Sequence, residues 1–150
     1  MAKSLGYKVV IPDLDFGVSF TKISQIVNSC DVLMGVHGAG LTNVFFLPTN
    51  AVLIQVLPLG ETEWVAGNCY GEPSVNMKIR GKESTLTEHY PHDDTVQLMK
   101  RGTKPSVDPV SAGKRGWDVF WSIYLEKQSV KLDVGRFRDT LLKALELLHN

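Results

Sequence analysis

Apolar residues fall in short blocks along roughly the first sixty positions of the chain and then thin out. Tyr7–Ile11 is a β-branched run closed by Pro12-Asp13, which predicts a buried strand over 7–11. From Phe20 the apolar positions are Ile23, Ile26 and Val27, a helical step, with Ser19 or Thr21 placed to cap the start of a helix that runs to about Ser29. Asp31–Val36 and Ala51–Leu57 are near-continuous apolar runs, as parallel strands covered on both faces require, and Pro58 stops the second. Between them Ala39–Leu47 predicts a short helix ended by Pro48-Thr49-Asn50. Strand, helix, strand, helix, strand in this order predicts an α/β fold, half of a doubly wound parallel sheet, within one domain. Ligands of such sheets bind beyond the carboxyl ends of the strands.

Past Gly60 the pattern weakens. Glu61–Ala66 suits a helical turn, Asn68–Met77 is rich in turn residues, and Pro91–Lys114 carries prolines, glycines and charges without period, as a long surface loop does. Trp117–Glu126 predicts a helix with a wide buried face and Gln128–Leu132 an extended link. Asp133 is a good N-cap for a last helix whose Val134, Phe137, Leu141, Leu145 and Leu148 lie on one side.

Composition changes this picture by exclusion. Sixteen basic and sixteen acidic side chains cancel, so no overall field attracts nucleic acid or an anionic surface. Cys30 and Cys69 are too few for a disulfide framework, and Cys30 beside a predicted strand reads as a small hydrophobe. No segment approaches the about eighteen apolar residues of a membrane span, which predicts a soluble chain with no membrane segment.

The candidate chemistry sits at the strand-to-helix corner Val36-His37-Gly38-Ala39-Gly40. A helix start exposes main-chain N–H groups and partial positive charge, so the corner is ready for a phosphate or diphosphate. His37 at the strand end points into the same edge crevice, and Thr42 and Asn43 in the first helical turn offer further donors. Each has a bland counterpart: glycines that only permit a tight turn and close packing, a satisfied structural histidine, and polar residues that contact only backbone. Gly35-x-x-Gly38-x-Gly40 is not the dinucleotide fingerprint, and the next strand ends in Val56-Leu57-Pro58 with no acidic residue for a ribose, which argues against a nicotinamide cofactor. His89 and His92 with Asp93 and Asp94 have a metal-like spacing but read as a solvated loop, since Pro91 interrupts any helix and no second cluster completes a site. Glu61, Glu63 and Glu83 are ordinary surface carboxylates unless a ribose lies nearby, and Trp117 and Trp121 read as core rather than as a sugar-stacking platform.

Met34-Gly35-Val36-His37-Gly38-Ala39-Gly40-Leu41-Thr42-Asn43-Val44-Phe45-Phe46-Leu47-Pro48 resembles the signature of glycosyltransferase family 61, above all its plant members. Ile54–Gly60, Lys82–Leu86, Asp108-Pro109, Gly116-Trp117, Tyr124-Leu125-x-x-Gln128-x-Val130 and Arg136–Arg138 resemble further stretches of that family, in order. The resemblance implies Golgi enzymes that add xylose or arabinose to cell-wall xylan or N-glycans. It also implies a GT-B architecture of two Rossmann-like domains and inverting transfer from a nucleotide sugar such as a UDP-pentose, and no residue pattern in the chain calls for a metal. On this footing His37, Gly38, Ala39, Gly40, Leu41, Thr42 and Asn43 bind the donor diphosphate, and Glu83 and Ser84 contact the nucleoside. The chain then corresponds to the C-terminal, donor-binding domain, with the anchor, the acceptor domain and the catalytic base expected in sequence it does not include. The segment between Met77 and Glu83 reads as shortened and the loop near Gln97–Lys104 as inserted relative to the family. The alternative is a non-catalytic remnant that acts by association with its own kind or with a longer partner.

Overall fold

The computed structural model describes residues 1–12, 19–57, 63–79, 85–89, 114–122 and 132–149. Its centre is a sheet of three parallel strands, β1 (Val32–Val36), β2 (Val52–Leu57) and β3 (Thr85–His89), in the order β1-β2-β3. Val32 pairs with Val52 and Gly35 with Gln55, which brings the carboxyl ends of β1 and β2 side by side. The expected α/β character and parallel pairing are both present.

All six residues of β2 are buried, and they serve two cores. Side chains alternate along a strand, so Leu53 joins a cluster with Val27, Leu41, Val44, Leu47, Tyr70 and Ile79. Val52, Ile54 and Val56 point the other way and pack with Phe137, Leu141, Ala144 and Leu147. The first cluster is roofed by α1 (Phe20–Asn28) and by the helical segment after β1, the second by the last helix, α5 (Val134–His149).

The caps follow the sequence. Ser19 Oγ accepts from the Lys22 amide at 3.2 Å to start α1. Asp133 accepts from the Gly135 amide through its carboxylate at 2.9 Å and from the Phe137 amide through its carbonyl at 3.0 Å. The buried face of α5 is Phe137, Thr140, Leu141, Ala144 and Leu147, rotated from the predicted stripe: Val134 is exposed, and Leu145 and Leu148 are only half-buried. The thiol of Cys30 is partly buried, with Sγ bonding to the Ile26 carbonyl.

Three expectations differ from the structure. Residues 7–11 lie in no strand: Ala2–Leu5 forms a 3₁₀ turn, Tyr7 bonds to the Leu141 carbonyl, and Val9, Val10 and Ile11 are exposed. A β-branched run supplies strand propensity, but a strand also needs a neighbour, and none of the described strands pairs with this one. Trp117 and Trp121 are not core, since each is 49% exposed. Their spacing places them on one side of α4 (Trp117–Phe120) and the turn beyond it, where they pack in a row with the exposed Trp64. A shared side says nothing of whether another element covers it. The stretch Asn68–Met77, expected to be turns, instead continues the helical turn α2 (Glu63–Ala66) as a π segment (Gly67–Gly71) and α3 (Glu72–Asn76).

Predictions for residues 90–113 and 123–131 lie outside the described residues, as do Glu61, Glu83, Ser84 and His92. No described helix is long and apolar enough to cross a membrane.

Candidate functional site

β1 ends at Val36, and the next amide, that of His37, still joins the sheet by donating to the Val56 carbonyl at 2.8 Å. The backbone then turns at Gly38 into a helical segment over Ala39–Phe46 that is 3₁₀ rather than α. Its first internal bond runs from the Leu41 amide to the Gly38 carbonyl at 3.0 Å. The amides of Gly38, Ala39 and Gly40 therefore have no hydrogen-bond partner among the described residues. They follow one another at the carboxyl end of β1, where an open parallel sheet accepts ligands.

The glycines separate into two kinds. A Cβ on Gly35 would lie 2.9 Å from Leu41 Cδ2, so this glycine lets the buried Leu41 seat against β1. Among the described residues, a Cβ on Gly40 would meet nothing within 4 Å, and one on Gly38 would meet only the Val36 carbonyl, at 4.0 Å. Gly38 has extended backbone and Gly40 is not in the left-handed region, so neither conformation calls for glycine. Tight turning and close packing account for Gly35 alone. At Gly38 and Gly40 the missing side chains leave room beside unpartnered amides, as a group that approaches the main chain needs.

Thr42 and Asn43 are turned inward on their own segment: Thr42 Oγ1 donates to the Ala39 carbonyl at 2.7 Å and Asn43 Nδ2 to the Gly40 carbonyl at 2.9 Å. Both bonds fasten the first turn from within, the backbone-only role that polar residues at a helix start often have. Leu41 is buried and anchors the turn in the core.

Two residues that sequence reasoning did not select complete the corner. Gln55, 1% exposed on β2, faces His37 Nδ1 through Oε1 at 3.1 Å and donates from Nε2 to the Ala66 carbonyl at 3.4 Å. Tyr70, in the π segment, donates its hydroxyl to the Gly38 carbonyl at 2.7 Å and sets its ring edgewise to His37 with centroids 5.4 Å apart. Burial, and next the charge of Cys69, push the Tyr70 phenol above its ordinary pKa, so the hydroxyl stays protonated and remains a donor. Gln55 was visible as the lone polar residue in an apolar strand; nothing in the local pattern marks Tyr70, which arrives from 32 residues away. Tyr70→Phe is expected to lower stability by about 0.5–1.5 kcal/mol through loss of this bond, read by urea unfolding.

His89 ends β3, paired in register with Leu57, and among the described residues no three His, Cys, Asp or Glu side chains converge.

The described fold is thus a parallel α/β sheet with an amide-lined corner at the carboxyl end of β1. Similarity to known proteins then narrows the class. The Glycosyltransferase 61 family profile matches residues 1–54. The chain is 41% identical to alpha-1,3-arabinosyltransferase XAT3 of Oryza sativa subsp. japonica over 156 aligned residues, 99% of this chain and 26% of that protein. It is 43% identical to beta-1,2-xylosyltransferase XYXT1 of the same organism, over 98% of this chain and 31% of that one. Xylan glycosyltransferase MUCI21 of Arabidopsis thaliana is 36% identical over 96% of this chain and 28% of its own length. The chain is thus similar to glycosyltransferase family 61, and it spans about a quarter to a third of the length of these relatives. No solved structure matches it.

Proposed function

We propose that the Gly38–Gly40 corner holds the diphosphate of a nucleotide sugar, a UDP-pentose, and that this chain is the donor-binding part of an inverting transferase of GT-B type acting on xylan or a related glycan. The observation that carries the proposal is the row of unpartnered amides at Gly38, Ala39 and Gly40 beside open space at Gly40. When the sugar leaves, negative charge builds on the diphosphate, and donors already fixed in place stabilise it without reorganising. His37 adds a side-chain donor to this row, and Glu83 and Ser84 are assigned to the nucleoside. Deprotonation of the acceptor hydroxyl and binding of the glycan are assigned to the length of the relatives that this chain does not span. By family resemblance the working compartment is the Golgi.

A second reading, a non-catalytic fold that acts by association, is favoured by the exposed row Trp64, Trp117 and Trp121. Isothermal titration with UDP and UDP-pentoses, run with sedimentation, separates the two. A monomer that binds UDP supports the donor site. A folded oligomer that ignores millimolar UDP refutes it and favours association.

A further inference from the structure

Gln55 is anomalous within β2, because its five neighbours in that fully buried strand are apolar. A buried amide must satisfy both its ends. The Ala66 carbonyl can only accept, so the end turned toward it is the NH2, and the end turned toward His37 is the oxygen. An oxygen 3.1 Å from Nδ1 in turn requires the proton to be on Nδ1. The other ring nitrogen, Nε2, makes no hydrogen bond to a described residue. Tyr70 flanks the ring edgewise, and its hydroxyl is committed to Gly38, so it does not compete for either nitrogen.

We infer that Gln55 is a positioning residue for His37: its oxygen holds the imidazole by Nδ1–H and leaves Nε2 to the ligand, where it meets an oxygen of the donor diphosphate as the second N–H of an imidazolium, the proton being taken up on binding. The chain of constraint begins at Ala66, a residue of α2 that touches no ligand in this arrangement, and passes through one amide to the ring. Which nitrogen of a histidine is available is set by the bond the other makes, and for metal-binding histidines loss of such an outer partner costs about tenfold or more. The ligand half of this inference rests on the proposed donor site; the tautomer half does not.

Long-range proton–nitrogen correlation spectra of the full chain, paired with UDP titration, test it. Wild type is expected to show a protonated Nδ1 and to bind UDP. Gln55→Leu removes the oxygen that fixes the ring and supports its second N–H, so the free protein should shift toward the Nε2–H form while UDP affinity falls about tenfold with the lost orientation. Gln55→Glu retains an oxygen at the same place, so Nδ1 should stay protonated and UDP should bind more tightly than to the leucine variant. A wild-type Nε2–H tautomer overturns the inference, and so does a Gln55→Leu protein with tautomer and affinity both unchanged. Should the leucine variant not fold, the wild-type spectrum and Gln55→Glu decide. A wild type that shows the Nδ1–H form yet does not bind UDP refutes the donor site, and the tautomer series alone then judges the positioning role.

Discussion

In the double variant Gly38→Ala/Gly40→Ala, UDP affinity is expected to fall more than about tenfold while the fold becomes no less stable. Among the described residues the two new methyl groups meet nothing within 4 Å beyond the local backbone, apart from the Val36 carbonyl at that limit. Backbone conformation at both sites suits alanine. Replacing glycine by alanine under these conditions restricts the unfolded chain and raises stability by about 0.4–1 kcal/mol per site. A diphosphate seated on the amides of residues 38–40 would meet both methyls. Gly35→Val gives the opposite pattern, because the added atoms press on Leu41 and overpacking of that kind costs about 1–3 kcal/mol. Titration calorimetry and urea unfolding on the two proteins read the contrast. Unchanged UDP affinity in the double variant means that the corner does not bring its main chain against the ligand.

The largest loss of stability is expected from Phe137→Ala, about 3–5 kcal/mol by urea unfolding. Phe137 is 2% exposed and is the largest fully buried side chain of the described residues. It fixes the first turns of α5 against Val52, Ile54 and Val56, so its removal opens a cavity at the centre of that core. A domain of this size has about 5–15 kcal/mol in total, and the variant should therefore be close to unfolding at room temperature. A loss under about 1 kcal/mol would mean that α5 does not pack on β2 as described. Because β2 also carries Gln55 on its opposite face, UDP binding should weaken in step with the folded fraction.

How much of this was legible in the sequence depended on whether the signal was local. The cap at Ser19, the cap at Asp133 and the buried run 52–57 are each encoded within a few residues, and each lies where the pattern predicts. The run 7–11 and the pair Trp117 and Trp121 were misjudged because burial depends on what lies opposite, and periodicity carries no information about that. The corner itself was legible as a site with two open explanations for its glycines. Only the three-dimensional surroundings separated Gly35, which the packing requires, from Gly38 and Gly40, which it does not. Gln55 and Tyr70 reach His37 and Gly38 across the fold, and no spacing rule within one segment joins them.

That separation among the glycines bears on the history of the chain as well as on its chemistry. Copies of this gene released from any demand to bind a donor would be free to change at Gly38 and Gly40 and would still fold, while a change at Gly35 would disturb folding whatever the protein was used for. Drift confined to the first two positions would therefore date the loss of the ligand, and drift at the third the loss of the protein.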